Sequence, residues 1–180
     1  MKLILLRHGH DLPANGGGNC LSTQGRKKVA ETALRMSETN IRTVDIAFCS
    51  PTRRARETLE EVQRKIDVTE VVHSAGLFPE SSPLEVDQLL MARRHFDGST
   101  CLVVGHEPQL SSCVLRWCGL VDTRDSDGAP PEWMLARGEG YVLSPTLVNG
   151  CIDVSYPVIR FLGSPRPMPN RSENQRASSF

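Results

Sequence analysis

Two periods alternate along the chain. Leu3-Ile4-Leu5-Leu6 is a short, unbroken apolar run that leads into Arg7, His8 and Gly9. It is too short for a helix, and its continuous apolarity predicts a strand buried on both faces, as in a parallel sheet. Residues 45–49, 68–77 and 100–104 repeat the strand-like pattern. Between them the period becomes helical. Val29, Ala30, Ala33 and Leu34 share one face of a helix with Ser22 or Thr23 as its N-cap. Ala55, Leu59, Val62 and Ile66 make an apolar stripe on a second helix. That helix is expected to begin at Ser50-Pro51, because Ser is a favoured cap and Pro suits the first helical position. Ser81-Ser82-Pro83 starts a third helix with Leu84, Leu89, Leu90 and Phe96 inward. Glu107-Pro108 opens a fourth, with Leu110, Val114, Trp117 and Cys118 inward.

The order β-α-β-α-β-α-β-α predicts an α/β fold: a three-layer αβα sandwich with a mostly parallel central sheet and helices on both faces. Residues 10–19 have loop composition, as do residues 122–132. Two further strands are expected at 140–143 and 152–161, antiparallel if residues 144–150 form a hairpin connection. One domain over residues 1–162 is expected. From Gly163 to Phe180 Pro, Ser, Asn and Arg dominate, which predicts a disordered tail.

Charge narrows the functional classes. Twenty-one basic and 21 acidic residues cancel, and the pI is near 7.0, so no basic surplus argues for nucleic acid. The apolar run after Lys2 is too short for a secretory signal, and no run approaches the length that crosses a bilayer. The expectation is a cytoplasmic protein with no membrane partner, and a monomer. The six cysteines are scattered without a C-x-x-C pair, so they read as buried, reduced thiols rather than a disulfide framework or a zinc set.

Candidate chemistry gathers at strand ends. Leu6-Arg7-His8-Gly9 and Val104-Gly105-His106-Glu107 both close a predicted strand with histidine. In a parallel sheet the carboxyl ends of the strands share one edge, where open α/β sheets place ligands. Arg54, in the first turn of the helix after the second strand, falls on the same edge. Arg7, His8, Arg54 and His106 can therefore converge near two helix amino termini that favour anions. Two guanidiniums and two imidazoles suit a phosphoryl group, because Arg forks match its oxygens and stay charged. Taken singly, each residue has a plainer explanation. A strand-end His is commonly structural, and Arg53 and Arg56 read as a solvated helix face. The coincidence of all four carries the argument.

Arg7-His8-Gly9, then Ser50-Pro51-x-x-Arg54-Ala55-x-x-Thr58, then Gly105-His106 resemble the motifs of the histidine phosphatase superfamily, in order and spacing. The resemblance covers about residues 1–162 and implies the phosphoglycerate mutase-like fold. The small size, Leu21-Ser22-x-x-Gly25 before the first helix, and a short connection between Arg54 and His106 look most like phosphohistidine phosphatases of the SixA type. That resemblance implies a phosphatase with His8 as nucleophile, forming a covalent phosphohistidine that water then hydrolyses. It implies that Arg7, Arg54 and a protonated His106 clamp the phosphoryl oxygens, with no metal and no cofactor.

Ester-cleaving relatives carry a Glu after the third strand. Here that region reads Gly76-Leu77-Phe78-Pro79-Glu80, so Glu80 is the candidate acid, offset by one, and Pro79 stands near the expected place. A missing acid fits a phosphoramidate substrate, whose nitrogen can leave already protonated. The expected function is removal of phosphate from phosphohistidine in a protein. The alternatives are a small-molecule phosphomonoesterase using Glu80, and a non-catalytic phosphate-binding module. The partner is thus a phosphorylated protein or a small phosphorylated molecule. Asn15 is a candidate phosphate contact or a turn former, and Arg137 a candidate at the site's border or a surface residue. His10 and Asp11, read with His8 as a metal site, lack further histidines in a suitable motif.

Overall fold

The computed structural model describes residues 1–14, 19–92, 98–119, 133–154 and 160–162. Asn15, Phe96, the 122–132 loop and the 163–180 tail lie outside the described residues. The elements run β1 (Lys2–Arg7), β2 (Asp11–Pro13), β3 (Asn19–Leu21), α1 (Thr23–Glu38), β4 (Thr43–Cys49), α2 (Arg53–Gln63) and β5 (Asp67–His73). A 3-10 turn (Ala75–Leu77), α3 (Pro83–Ala92), β6 (Thr100–Gly105), α4 (Gln109–Trp117) and β7 (Gly140–Leu143) follow. The last elements are β8 (Thr146–Val148), β9 (Cys151–Asp153) and β10 (Arg160–Leu162).

Six strands form one sheet in the order β10-β7-β1-β6-β4-β5. β1, β6, β4 and β5 are parallel, whereas β7 runs antiparallel to both β1 and β10. Side chains alternate across a strand, so the apolar run of β1 feeds two cores. Leu3 and Leu5 pack with Val86 and Leu90 of α3 and with Leu110, Val114 and Trp117 of α4. Ile4 and Leu6 pack with Val29, Ala33 and Met36 of α1 and with Ala55, Leu59 and Val62 of α2. Helices thus cover both faces, as the alternating pattern predicts for this fold class.

Several sequence expectations are corrected. The strand expected at 68–77 ends at His73, and Ala75–Leu77 turns back instead, with the Ser74 hydroxyl accepting from the Gly76 amide. The strand expected at 152–161 is two pieces: β9 pairs with β8 in a hairpin, and β10 pairs with β7. The 10–19 loop holds a two-stranded ribbon of β2 and β3. Leu34 and Leu84 are about half exposed, and Met36 and Val86 take their inward places. Ser22 caps α1 by accepting from the Gly25 amide. Ser50 caps nothing; α2 starts at Arg53, and the Ser50 hydroxyl is drawn into the site.

Candidate active site

Strand register builds the centre of the site. β1 and β6 are neighbours with Arg7 opposite Gly105, so the next residues, His8 and His106, leave the sheet side by side. The His8 amide donates to the Gly105 carbonyl at 3.1 Å. The two rings lie 4.9 Å apart between centroids, tilted by 56°. Ser50 follows β4, on the other side of β6, and its amide donates to the Val104 carbonyl at 3.0 Å. That places its hydroxyl 2.9 Å from His106 Nε2.

Hydrogen bonds fix the orientation of both imidazoles. His8 Nδ1 lies 2.8 Å from the Gly9 carbonyl, which can only accept, so Nδ1 carries the proton and Nε2 presents its lone pair. Gly9 is held in turn: its amide donates to Thr58 Oγ1 at 3.0 Å, and that hydroxyl donates to the Arg54 carbonyl. A side chain on Gly9 would press on Leu21 and Val29 at 2.6 and 2.9 Å and on the Gly25 carbonyl at 3.1 Å, so these neighbours would have to shift to admit one. On His106, Arg54 Nη2 stands 3.5 Å from Nδ1, and a guanidinium can only donate. Nε2–H therefore points to Ser50, and Nδ1 is where a proton would be gained.

The surroundings favour the neutral form of both rings. Burial lowers His8 to about 4, with the Gly9 carbonyl opposing and the Arg54 charge adding to the fall. Burial lowers His106 to about 3, reinforced by His8, Arg54 and Arg7. The sequence expectation of a protonated His106 therefore needs an anion beside the ring, which would favour the charged form.

The cations converge as expected. Arg7, His8, Arg54 and His106 line one open cleft of about 250 Å³ together with Asp11, Asn19, Pro79, Glu107 and Arg137. Arg7 is aimed by the Leu135 carbonyl, which accepts from Nη1 at 2.6 Å. The Leu135 amide donates to Glu107 Oε1 at 2.9 Å, and the Ser111 hydroxyl lies 2.7 Å from the same oxygen and 2.7 Å from the Trp133 carbonyl. Burial raises the Glu107 carboxyl above its ordinary range, against those bonds and the Arg7 charge.

Sequence reasoning missed the roles of Asp11, Asn19, Glu107 and Ser50 and undervalued Arg137. Asp11 Oδ1 pairs with Arg137 Nη1 at 3.0 Å, and Arg54 Nε stands 3.8 Å from Oδ2. Asn19 Nδ2 donates to Asp11 Oδ2 at 2.6 Å. Burial pushes Asp11 up, but the Asn19 bond with His8, Arg137 and Arg54 holds the carboxyl below its usual range. Arg137 reaches the site because the Gly138 amide donates to the His8 carbonyl at 3.0 Å. Glu80 is exposed and is not among the residues lining the cleft, whereas its neighbour Pro79 is. Among the described residues, no group of three or more His, Cys, Asp or Glu is placed to hold a metal.

Residues 3–78 match a family model described as histidine phosphatase superfamily (branch 1). The match spans His8 and Arg54, and the sheet adds His106 beside them. Among solved structures, the chain is similar to the protein histidine phosphatase SixA complexed with tungstate, at 20% identity and a TM-score of 0.71 over 91% of this chain and 97% of that one. It is similar to a protein designated a SixA phosphohistidine phosphatase from Agrobacterium tumefaciens, at 20% identity and a TM-score of 0.65, covering 90% and 96% of the two chains. It is also similar to phosphoserine phosphatase from Entamoeba histolytica in complex with 3-phosphoglyceric acid, at 16% identity and a TM-score of 0.56 over 91% and 97%. No curated protein matches the sequence. The likenesses show the phosphoglycerate mutase-like fold. Among the described residues no helix is long and apolar enough to cross a membrane.

Proposed function

We propose that the protein removes the phosphoryl group from phosphohistidine in a protein, through a covalent intermediate on His8. The observation that carries this reading is the 4.9 Å approach of His8 and His106 in a cleft also lined by Arg7 and Arg54. His8 Nε2 attacks phosphorus in line; the new N–P bond forms as the bond to the leaving nitrogen breaks. Water then attacks phosphorus, the His8 N–P bond breaks, and inorganic phosphate leaves with His8 restored. Arg7, Arg54 and His106 hold the oxygens on which charge spreads, and His106 Nδ1 takes up a proton as the dianion arrives. The catalytic domain is residues 1–162 in this reading.

The carboxyls at the cleft support a nitrogen leaving group. Asp11 is held ionised by its partners, which makes it a poor acid. Glu107 is held by its neighbours: Oε1 accepts from the Leu135 amide and lies 2.7 Å from the Ser111 hydroxyl, which also faces the Trp133 carbonyl, and Oε2 accepts from the Ser111 amide. Glu80 lies outside the lining. An alkoxide needs a proton donor on departure, whereas an imidazole nitrogen is a far better leaving group. A phosphohistidine peptide should therefore be turned over at least tenfold faster, in kcat/KM, than a simple alkyl phosphate. Glu80→Gln should leave both rates near wild type. A preference for the ester that Glu80→Gln abolishes would replace this reading with the small-molecule phosphomonoesterase.

A further inference from the structure

Arg137 stands between two depressions. On one side it lines the histidine cleft. On the other it lines a second open pocket, of about 470 Å³, with His10, Gln24, Lys27, Lys28 and Glu31. Gln24, Lys27, Lys28 and Glu31 fall at helical spacing on one face of α1, so a single helix face forms the pocket wall. Lys27, Lys28 and Arg137 are cationic there; Glu31 is the acid on the wall and Asp11 pairs with Arg137 from the cleft side at 3.0 Å, which still leaves the balance positive, on the lysines. The stem of Lys28 lies along Gly138, beside Arg137. His10 is oriented rather than loose. The one Ser22 hydroxyl proton goes to the His10 carbonyl, so Ser22 Oγ accepts from His10 Nδ1, which fixes the ring on the pocket wall.

A positive pocket that shares a wall residue with a phosphoryl cleft suits a substrate with two anionic ends. We infer that this pocket holds a second anionic group of the substrate, a carboxylate or a further phosphate, while the phosphoryl group sits between His8 and His106. The inference rests on the proposed reading of that cleft as a phosphoryl site. The second group has two sources with the same chemistry: an acidic side chain near phosphohistidine in a protein, or the carboxylate of a small phosphorylated acid. Lys27, exposed on the pocket wall, and Arg137 set the preference, and Glu31 limits it.

Two matched pairs of compounds separate these sources. The first pair is a phosphohistidine peptide with Glu residues beside the phosphohistidine and the same peptide with Gln. The second is 3-phosphoglycerate and glycerol 3-phosphate. The ratio of kcat/KM within each pair is read for the wild type, Lys27→Glu and Lys27→Arg, and the ratio of affinities is read on His8→Ala, which needs no turnover. The acidic member should win by about two- to fivefold at low ionic strength, as expected for an exposed charge pair. The preference should vanish in Lys27→Glu and persist in Lys27→Arg. A preference confined to the peptides assigns the pocket to a protein substrate; one confined to the second pair assigns it to a small acid. Equal members in both pairs, or a preference that survives Lys27→Glu, overturns the inference and leaves the phosphatase reading standing. Rejection of both peptides with turnover of 3-phosphoglycerate overturns the phosphohistidine reading, and the second pair then decides the pocket.

Discussion

Thr58 lies 49 residues after Gly9, yet its hydroxyl accepts the buried Gly9 amide at 3.0 Å. The same hydroxyl donates to the Arg54 carbonyl at 2.7 Å. One side chain thus ties the turn that carries His8 to the helix turn that carries Arg54. Thr58→Val keeps the shape but leaves the Gly9 amide without its acceptor. Unfolding in urea should show a loss of about 1–3 kcal/mol, the usual cost of a buried unpaired donor. The kcat should fall as well, because the His8 turn loses its tether. An unchanged midpoint together with an unchanged kcat would remove this link from the account.

Acid should destabilise the fold in a defined window. The ordinary imidazole value of 6.5 is lowered to about 4 for His8 and about 3 for His106, in both cases chiefly by burial. The unfolded chain therefore binds more protons between those limits, and stability falls as pH drops from about 6.5 toward 4 and below. His8 alone should cost roughly 3 kcal/mol across its range. Denaturation midpoints at pH 7 and pH 5 measure this, and His8→Ala should flatten the profile between them.

Much of this site was legible along the chain. Arg7-His8-Gly9 and Gly105-His106 sit on continuous apolar strands, so their place at the sheet edge follows from local pattern. Arg54 is legible through the helical stripe of Ala55, Leu59 and Val62. Other parts were hidden because long-range contacts decide them. Ser50 looks like a helix cap, but the neighbouring strand β6 delivers His106 to its hydroxyl, and that bond wins. Asp11 lies in a three-residue strand whose existence depends on pairing with Asn19–Leu21, too short for any periodic signal. Arg137 comes from the far end of the chain and is placed by the Gly138 amide on the His8 carbonyl, which no local pattern announces. Apolar Leu77 continues the run from Val68, so local pattern extends the strand over what is a 3-10 turn at Ala75–Leu77.

Glu107 should act on Arg7 through the Leu135 peptide. Its carboxylate accepts the Leu135 amide, and the Leu135 carbonyl accepts from Arg7 Nη1. Glu107→Ala leaves the amide unpaired and loosens the carbonyl that aims the guanidinium. We expect KM for a phosphohistidine peptide to rise about fivefold, equivalent to about 1 kcal/mol of lost positioning. Glu107→Gln, which keeps an acceptor for Leu135, should recover most of it. A positioning role predicts that split between variants; failure of both to move KM would contradict it.

The central claim is that His8 carries the phosphoryl group during turnover. Rapid quenching of the protein with radiolabelled phosphoramidate, followed by peptide mapping, tests it directly. Acid-labile, base-stable label is expected on the peptide containing His8, attached at Nε2, with neither label nor turnover in His8→Ala. Label on any other residue, or turnover that persists in His8→Ala, would contradict it.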